Sequence, residues 1–168
     1  MSDWRMLTLV GEDRPGIVAA VTAKLYENGF SLGEASMMRL GGNFSIMLMI
    51  AGKGDVEVLL APVAEQLNLH LHVYDAGGSL HKHVAPNVQV RVNGADRAGI
   101  VAQVTGVLAE RGFNILELES DVAGSQDNPV YILYIQGYCE CPVEELEEAV
   151  SALGKLHVDV SPIETLIG

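Results

Sequence analysis

Asp13-Arg14-Pro15-Gly16-Ile17-Val18-Ala19 returns 83 residues later as Asp96-Arg97-Ala98-Gly99-Ile100-Val101-Ala102. Carried on through residue 32, the same offset gives 12 identities in 20 ungapped positions, among them Val21/Val104, Leu25/Leu108, Gly29/Gly112 and Phe30/Phe113. Gly11 and Gly94 match as well. The chain is an internal duplication, so each half has to fold as a unit. The halves are assigned to residues 1–76 and 87–168, with 77–86 as a linker of turn composition.

Reading outward from the first copy, Met6 to Val10 is a strand that ends at Gly11. Ile17, Val21 and Leu25 then fall at helical spacing, with Asp13 as the expected cap, Pro15 in the first turn and Gly29 as the stop. Two strands follow, Ser31 to Leu40 and Phe44 to Ala51, joined by a turn at Gly41-Gly42-Asn43. Asp55 opens a second helix with Val56, Leu59, Leu60, Val63 and Leu67 on one face, and His70 to Tyr74 closes the unit. The second half repeats the order: strand Val88 to Val92, a helix, strands Asn114 to Val122 and Val130 to Gln136, a helix from Pro142, and strand Leu156 to Val160. The predicted fold class is therefore α+β, two tandem ferredoxin-like βαββαβ modules with both helices on one face of an antiparallel sheet. The runs Ile46 to Ile50 and Tyr131 to Ile135 are continuously apolar. Such runs lead us to expect a sheet face covered by the other half or by a second chain, and a homo-oligomer.

Composition narrows the function classes. Among 168 residues, Asp and Glu number 22 against 10 Lys and Arg, a net charge of −12. Nucleic-acid binding draws on Lys and Arg at phosphates, so direct contact with DNA or RNA is not expected. No apolar run approaches the roughly 20 residues of a membrane span, and the N-terminus lacks a secretory pattern. A cytoplasmic location is the default. Cys139 and Cys141 stand one residue apart, too close to make a disulfide framework, and are expected to be reduced thiols.

On Asp13-Arg14-Pro15-Gly16-Ile17-Val18 and on Asn114-Ile115, the chain resembles ACT domains. Its tandem arrangement resembles the glycine cleavage system transcriptional repressor family. That resemblance implies a small effector, an amino acid above all, bound at an effector loop, and regulation through a protein partner rather than an enzyme activity. It places the loop on Asp13, Arg14, Pro15, Gly16 and Ile17 and, in the second half, on Asp96, Arg97, Ala98, Gly99 and Ile100. The family's residue at the start of the second strand falls on Ser31 in one half and on Asn114, followed by Ile115, in the other. Two departures stand out. Ala98 replaces the proline, and Ser31 replaces the usual asparagine with a shorter side chain.

The chemistry of those positions is consistent with that expectation. A helix start has backbone N–H groups without helical partners and carries partial positive charge, which suits a carboxylate. Glycine lets a ligand approach the backbone. Asp13 or Asp96 is placed to meet an α-ammonium, and Arg14 or Arg97 a second carboxylate. A ligand of so few heavy atoms limits affinity to about the micromolar-to-millimolar range. The competing expectation is a structural interaction protein whose pockets are degenerate. No nucleophile elbow or phosphate loop is present, so no catalytic residue and no cofactor are assigned. His70, His72, His81, His83 and the two cysteines match no closed zinc spacing, and no metal is expected. Met37, Met38, Met47 and Met49 form a cluster of adaptable side chains on the first hairpin, suited to core or interface.

Overall fold

Residues 4–76, 84–95 and 99–164 are described by the structure, a computed structural model. Contacts divide the chain into two compact units, Met1–Lys82 and His83–Gly168. The first unit runs β1 (Trp4–Glu12), α1 (Ile17–Glu27), β2 (Ser31–Leu40), β3 (Asn43–Ala51), α2 (Val56–Leu67) and β4 (Leu69–Asp75). Its sheet has the antiparallel order β2-β3-β1-β4. The second unit runs β5 (Val88–Ala95), α3 (Ile100–Glu110), β6 (Asn114–Ser125), β7 (Asn128–Tyr138), α4 (Val143–Ser151) and β8 (Leu156–Pro162), ordered β6-β7-β5-β8. Both are ferredoxin-like βαββαβ units, as the apolar periodicity predicts.

Alternation along the strands sends one set of side chains to the helices. Leu7 pairs with Leu48 and Val73, and Leu9 with Ile46 and Leu71, so these residues share a face. Ile17, Val21 and Leu25 of α1 and Val56, Leu60 and Ala64 of α2 close over them in one core. In the second unit Val90, Val92, Leu133 and Ile135 meet Ile100, Val104 and Leu108 of α3 and Leu146 and Val150 of α4. The duplicated Gly11 and Gly94 have a packing reason. A Cβ at Gly11 would meet Leu69 Cδ2 at 2.7 Å, and one at Gly94 would meet Leu156 Cδ2 at 2.6 Å. The bare backbone lets the first strand pass the start of the last.

The second hairpin is longer than its sequence pattern implies. Its ladder continues through Gly124↔Pro129 and Ser125↔Asn128, leaving a turn of two residues, where the sequence pattern has the strands stop at Val122 and resume at Val130. Gly124 adopts φ 94°, which a side chain would resist. Pro129 is tolerated because the pairing of β7 with β5 begins only at Val130.

The two continuous apolar runs have different surroundings. In the second unit the outward members are Ile132 and Tyr134, and Arg91 lies over the Tyr134 ring at 5.4 Å. The Tyr134 hydroxyl bonds to Gln89 and to Gln136, and Gln89 donates to Ser161 Oγ at 2.8 Å. This polar network lies on the outward face of the run, around Tyr134. Three of the four hairpin methionines, Met38, Met47 and Met49, share the face away from the helices, and Met37 does not join them. Met37 is in register with Ile46 on the helix side, whereas Met38 pairs with Ser45, and Met47 with Ser36, on the opposite face.

The expectation of two separate thiols also fails. Cys139 and Cys141 are joined, their Cα atoms 5.4 Å apart, because the chain turns at Glu140 and brings the sulfurs together. Among the described residues no helix is long and apolar enough to cross a membrane.

Candidate functional site

β1 feeds α1 through residues 13–16. The residue that caps the helix is Gly16, at φ 89° and ψ −2°, a left-handed conformation that favours glycine. Asp13, expected as the cap, is not one, and Pro15 lies just ahead of the helix rather than in its first turn. A left-handed residue at the cap position turns the chain so that no side chain accepts from the first-turn amides. The first helical bond runs from Ala20 N–H to Gly16 C=O at 2.9 Å. The N-terminal amides of α1 thus carry the partial positive charge of a helix start without a capping oxygen.

Asp13 is engaged elsewhere. Its N–H donates to Gly42 C=O in the β2–β3 turn at 3.0 Å, and its carboxylate accepts from the Arg39 guanidinium. Arg14 donates to Glu12 Oε2 at 2.8 Å. That hydrogen bond, and then the Arg14 charge, holds the Glu12 carboxyl below its ordinary pKa. Two carboxylates and two guanidiniums therefore stand in balanced pairs around the helix start. An open cleft of about 470 Å³ lies here, with Asp13, Arg14, Pro15, Gly16 and Ile17 on one side and Met37, Arg39 and Phe44 on the other. Its volume falls within the roughly 300–1,000 Å³ of small-molecule sites. Ile17 and Phe44 are buried and form its floor, while Arg39 is largely exposed at its rim.

Ser31 is not part of this cleft. It pairs with Ala51, which pairs with Trp4, so it stands at the start of β1, whereas the loop follows its end. At about 3.3 Å per residue the two are separated by roughly 27 Å. Asn114 is placed likewise, paired with Tyr138 beside the start of β5, and Ile115 packs on the second core. The loop residues are brought together, and the strand-start residues are not brought to them.

In the second unit Gly99 repeats the left-handed cap at φ 84° and ψ 1°, again without a capping side chain, and Ile100 is buried. Asp96, Arg97 and Ala98 lie outside the described residues. The position of Arg39 is nevertheless readable. Gly11↔Phe44↔Arg39 across the first sheet corresponds to Gly94↔Tyr131↔Val122 across the second, so an exposed valine stands where the first unit has its arginine.

Arg39, Met37 and Phe44 were not anticipated as cleft residues. The available signal was the strand period, which puts 37 and 39 on one face of β2, together with the Gly41-Gly42 turn that brings Phe44 beside Arg39. His70 and His72 do share a face of β4, but among the described residues no group of three or more metal-ligating side chains converges. His81 and His83 lie outside the described residues.

Comparison with known proteins agrees with this architecture. ACT domain profiles match residues 6–74 and 88–158. The glycine cleavage system transcriptional repressor of Escherichia coli (strain K12) is 24% identical over 156 residues, 88% of this chain and 82% of that protein. Its Shigella flexneri counterpart gives the same figures. Among solved structures, a protein of unknown function from Galdieria sulphuraria superposes with a TM-score of 0.76 at 22% identity, covering 98% of this chain and all of that one. A candidate glycine cleavage system transcriptional repressor gives 0.70 at 20% identity, covering 98% and 99%. At such identities the solved structures speak for the fold alone. The two consecutive profile matches, laid on two βαββαβ units, make this chain a member of the ACT domain family.

Proposed function

We propose that this chain is a cytoplasmic, non-enzymatic regulator that senses an amino acid at the β1–α1 cleft of its first unit and acts through a protein partner. The observation that carries the reading is the uncapped start of α1 facing a cleft rimmed by both signs of charge. An α-carboxylate suits the first-turn amides and the Arg39 guanidinium, and an α-ammonium suits Asp13, once the ligand inserts into the Asp13–Arg39 pair. A zwitterion meets complementary groups at both ends, where a simple anion meets only one. The similarity to glycine cleavage repressors supports a role in transcriptional control of amino-acid metabolism. The charge of −12 favours a protein intermediary over direct DNA contact.

A helix start contributes roughly 0.3–1 kcal/mol toward an exposed anion and each charge-assisted bond about 1.5–3, before ordering costs. Affinity in the micromolar-to-millimolar range follows, which suits a metabolite sensor. A thermal-shift screen of the amino acids at millimolar concentration tests this. A rise in melting temperature with one or a few of them, lost in Gly16→Val, is expected, and a flat response to all removes the sensing role.

One observation favours a second reading, in which the chain is an interaction module with no ligand. Asp13 and Arg39 already satisfy each other. In that case Gly16→Val leaves partner binding intact and no amino acid modulates it. The sensor loses its effector response in the same variant.

A further inference from the structure

The second unit carries a feature unrelated to the cleft. β7 ends at Tyr138, the chain turns through Cys139, Glu140 and Cys141, and α4 starts at Val143. Cys139 is fixed on both sides of its backbone by one side chain. Asn87 Nδ2 donates to Cys139 C=O at 2.8 Å, and Cys139 N–H donates to Asn87 Oδ1 at 2.9 Å. The Cys139 side chain, 3% exposed, belongs to the second core, while Cys141 is only partly buried against that core. The two sulfurs are joined. Cys139 Sγ also lies 3.4 Å from the Arg111 carbonyl at the end of α3 and receives the Cys141 N–H at 3.4 Å.

These contacts serve both oxidation states. A thiol on Cys139 has a hydrogen to donate to the Arg111 carbonyl, and a disulfide does not. A thiolate on Cys139 has the Cys141 amide as donor. The frame that holds Cys139 keeps its sulfur in place whichever state the pair is in, so closure needs no search for a partner. We infer that Cys139 and Cys141 form a reversible thiol–disulfide site exchanging with small thiols, with Cys141 as the sulfur attacked from solvent.

The exchange balances as follows. A thiolate of the reductant attacks Cys141 Sγ, and the Cys139–Cys141 bond breaks. Its electron pair passes to Cys139 Sγ, which takes a proton from water and keeps it as a thiol hydrogen-bonded to Arg111 C=O. A second thiolate attacks the reductant's sulfur in the mixed disulfide on Cys141, releasing the oxidised reductant and a Cys141 thiolate, which is protonated. The protein gains two electrons and two protons, and two small thiols become one disulfide. Oxidation runs the same steps in reverse. It withdraws the sulfur donor from the carbonyl of Arg111, the residue that caps the C-terminus of α3, so the state of the pair is felt where α3, β7 and α4 meet.

The test equilibrates the full chain, without oxygen, in mixtures of reduced and oxidised glutathione, then quenches with acid, unfolds, alkylates with N-ethylmaleimide and weighs the intact protein. The expected result is interconversion between a doubly alkylated species and an unalkylated one lighter by two hydrogens before labelling, with the glutathione adduct minor throughout. Cys141→Ser is expected to lose the unalkylated monomer completely. Double alkylation at every ratio, closure at every ratio, accumulation of the glutathione adduct on Cys141, or an unalkylated species surviving Cys141→Ser would each overturn the inference.

Discussion

Gly16 and Gly11 show two different reasons for a duplicated glycine. At Gly16 an added Cβ meets nothing within 4 Å, but the backbone sits at φ 89°. Gly16→Ala is therefore expected to destabilise the first unit by about 1–2 kcal/mol through conformation alone. At Gly11 the obstacle is contact, since a Cβ meets Leu69 Cδ2 at 2.7 Å and the Asn68 carbonyl at 3.0 Å. At Gly94 the close atom is again a leucine methyl, but the nearest backbone oxygen is 3.6 Å away. Urea denaturation is expected to find Gly11→Ala more damaging than Gly94→Ala, because a methyl can move aside and a carbonyl in a turn cannot. The Glu12–Arg14 pair gives a pH prediction. Its folded pKa is lowered, so the contribution is present at neutral pH and above, and is lost as pH falls through the folded pKa. In Arg14→Gln the Glu12 carboxyl should titrate at higher pH, read by NMR of its side-chain carbon. An unchanged titration would mean the pair does not form in solution.

Helices and strands were the most legible level of this sequence, because each buries one face and so writes its period into the apolar residues. Ile17, Val21 and Leu25 are buried at helical spacing as read, and Asp55 accepts from Val58 N–H at 3.1 Å as a helix cap. What escaped was set by register or by local backbone conformation. The length of the second hairpin depends on Gly124 at φ 94°, which composition does not reveal. Arg39 reaches Asp13 only because β2, β3 and β1 pair in a particular register, a relation between residues 26 apart. Asp13 lost the cap to Gly16 because the loop needs a left-handed residue there, a requirement no side-chain preference announces. The cysteine pair was hidden for the same reason, since a turn at one residue decides it. Pro62 makes a prediction for α2, where it lies inside the helix on the exposed side. It cannot donate to the Val58 carbonyl, so Pro62→Ala is expected to stabilise the first unit by about 1–3 kcal/mol. A lower urea midpoint would show that the ring packs usefully after all.

At the scale of the whole chain, duplication has kept the scaffold and let the details of the cleft diverge. Both units have the same strand order, the same left-handed glycine cap and the same glycine where the first strand passes the last. Their sheet faces differ, methionines on one and a Gln89–Tyr134–Gln136 network on the other. So does the rim of the cleft, where Arg39 corresponds to Val122. With an exposed valine at the position of Arg39, the second unit is expected to lack that contact to a carboxylate, so one effector per chain is expected. The stoichiometry of a titration should therefore approach one, and Gly99→Val should leave it unchanged. A value near two would return the second unit to the list of working sites.

Isothermal titration calorimetry of the full chain with the amino acid selected by the thermal screen puts the account to its hardest test. The account predicts a single site of micromolar-to-millimolar affinity, weakened at least about tenfold by Arg39→Ala, which removes a charge-assisted contact. The same change should cost less than about 1 kcal/mol of stability, since the Asp13–Arg39 pair is partly exposed. Binding indifferent to both Arg39→Ala and Gly16→Val, or no binding at all, would contradict it.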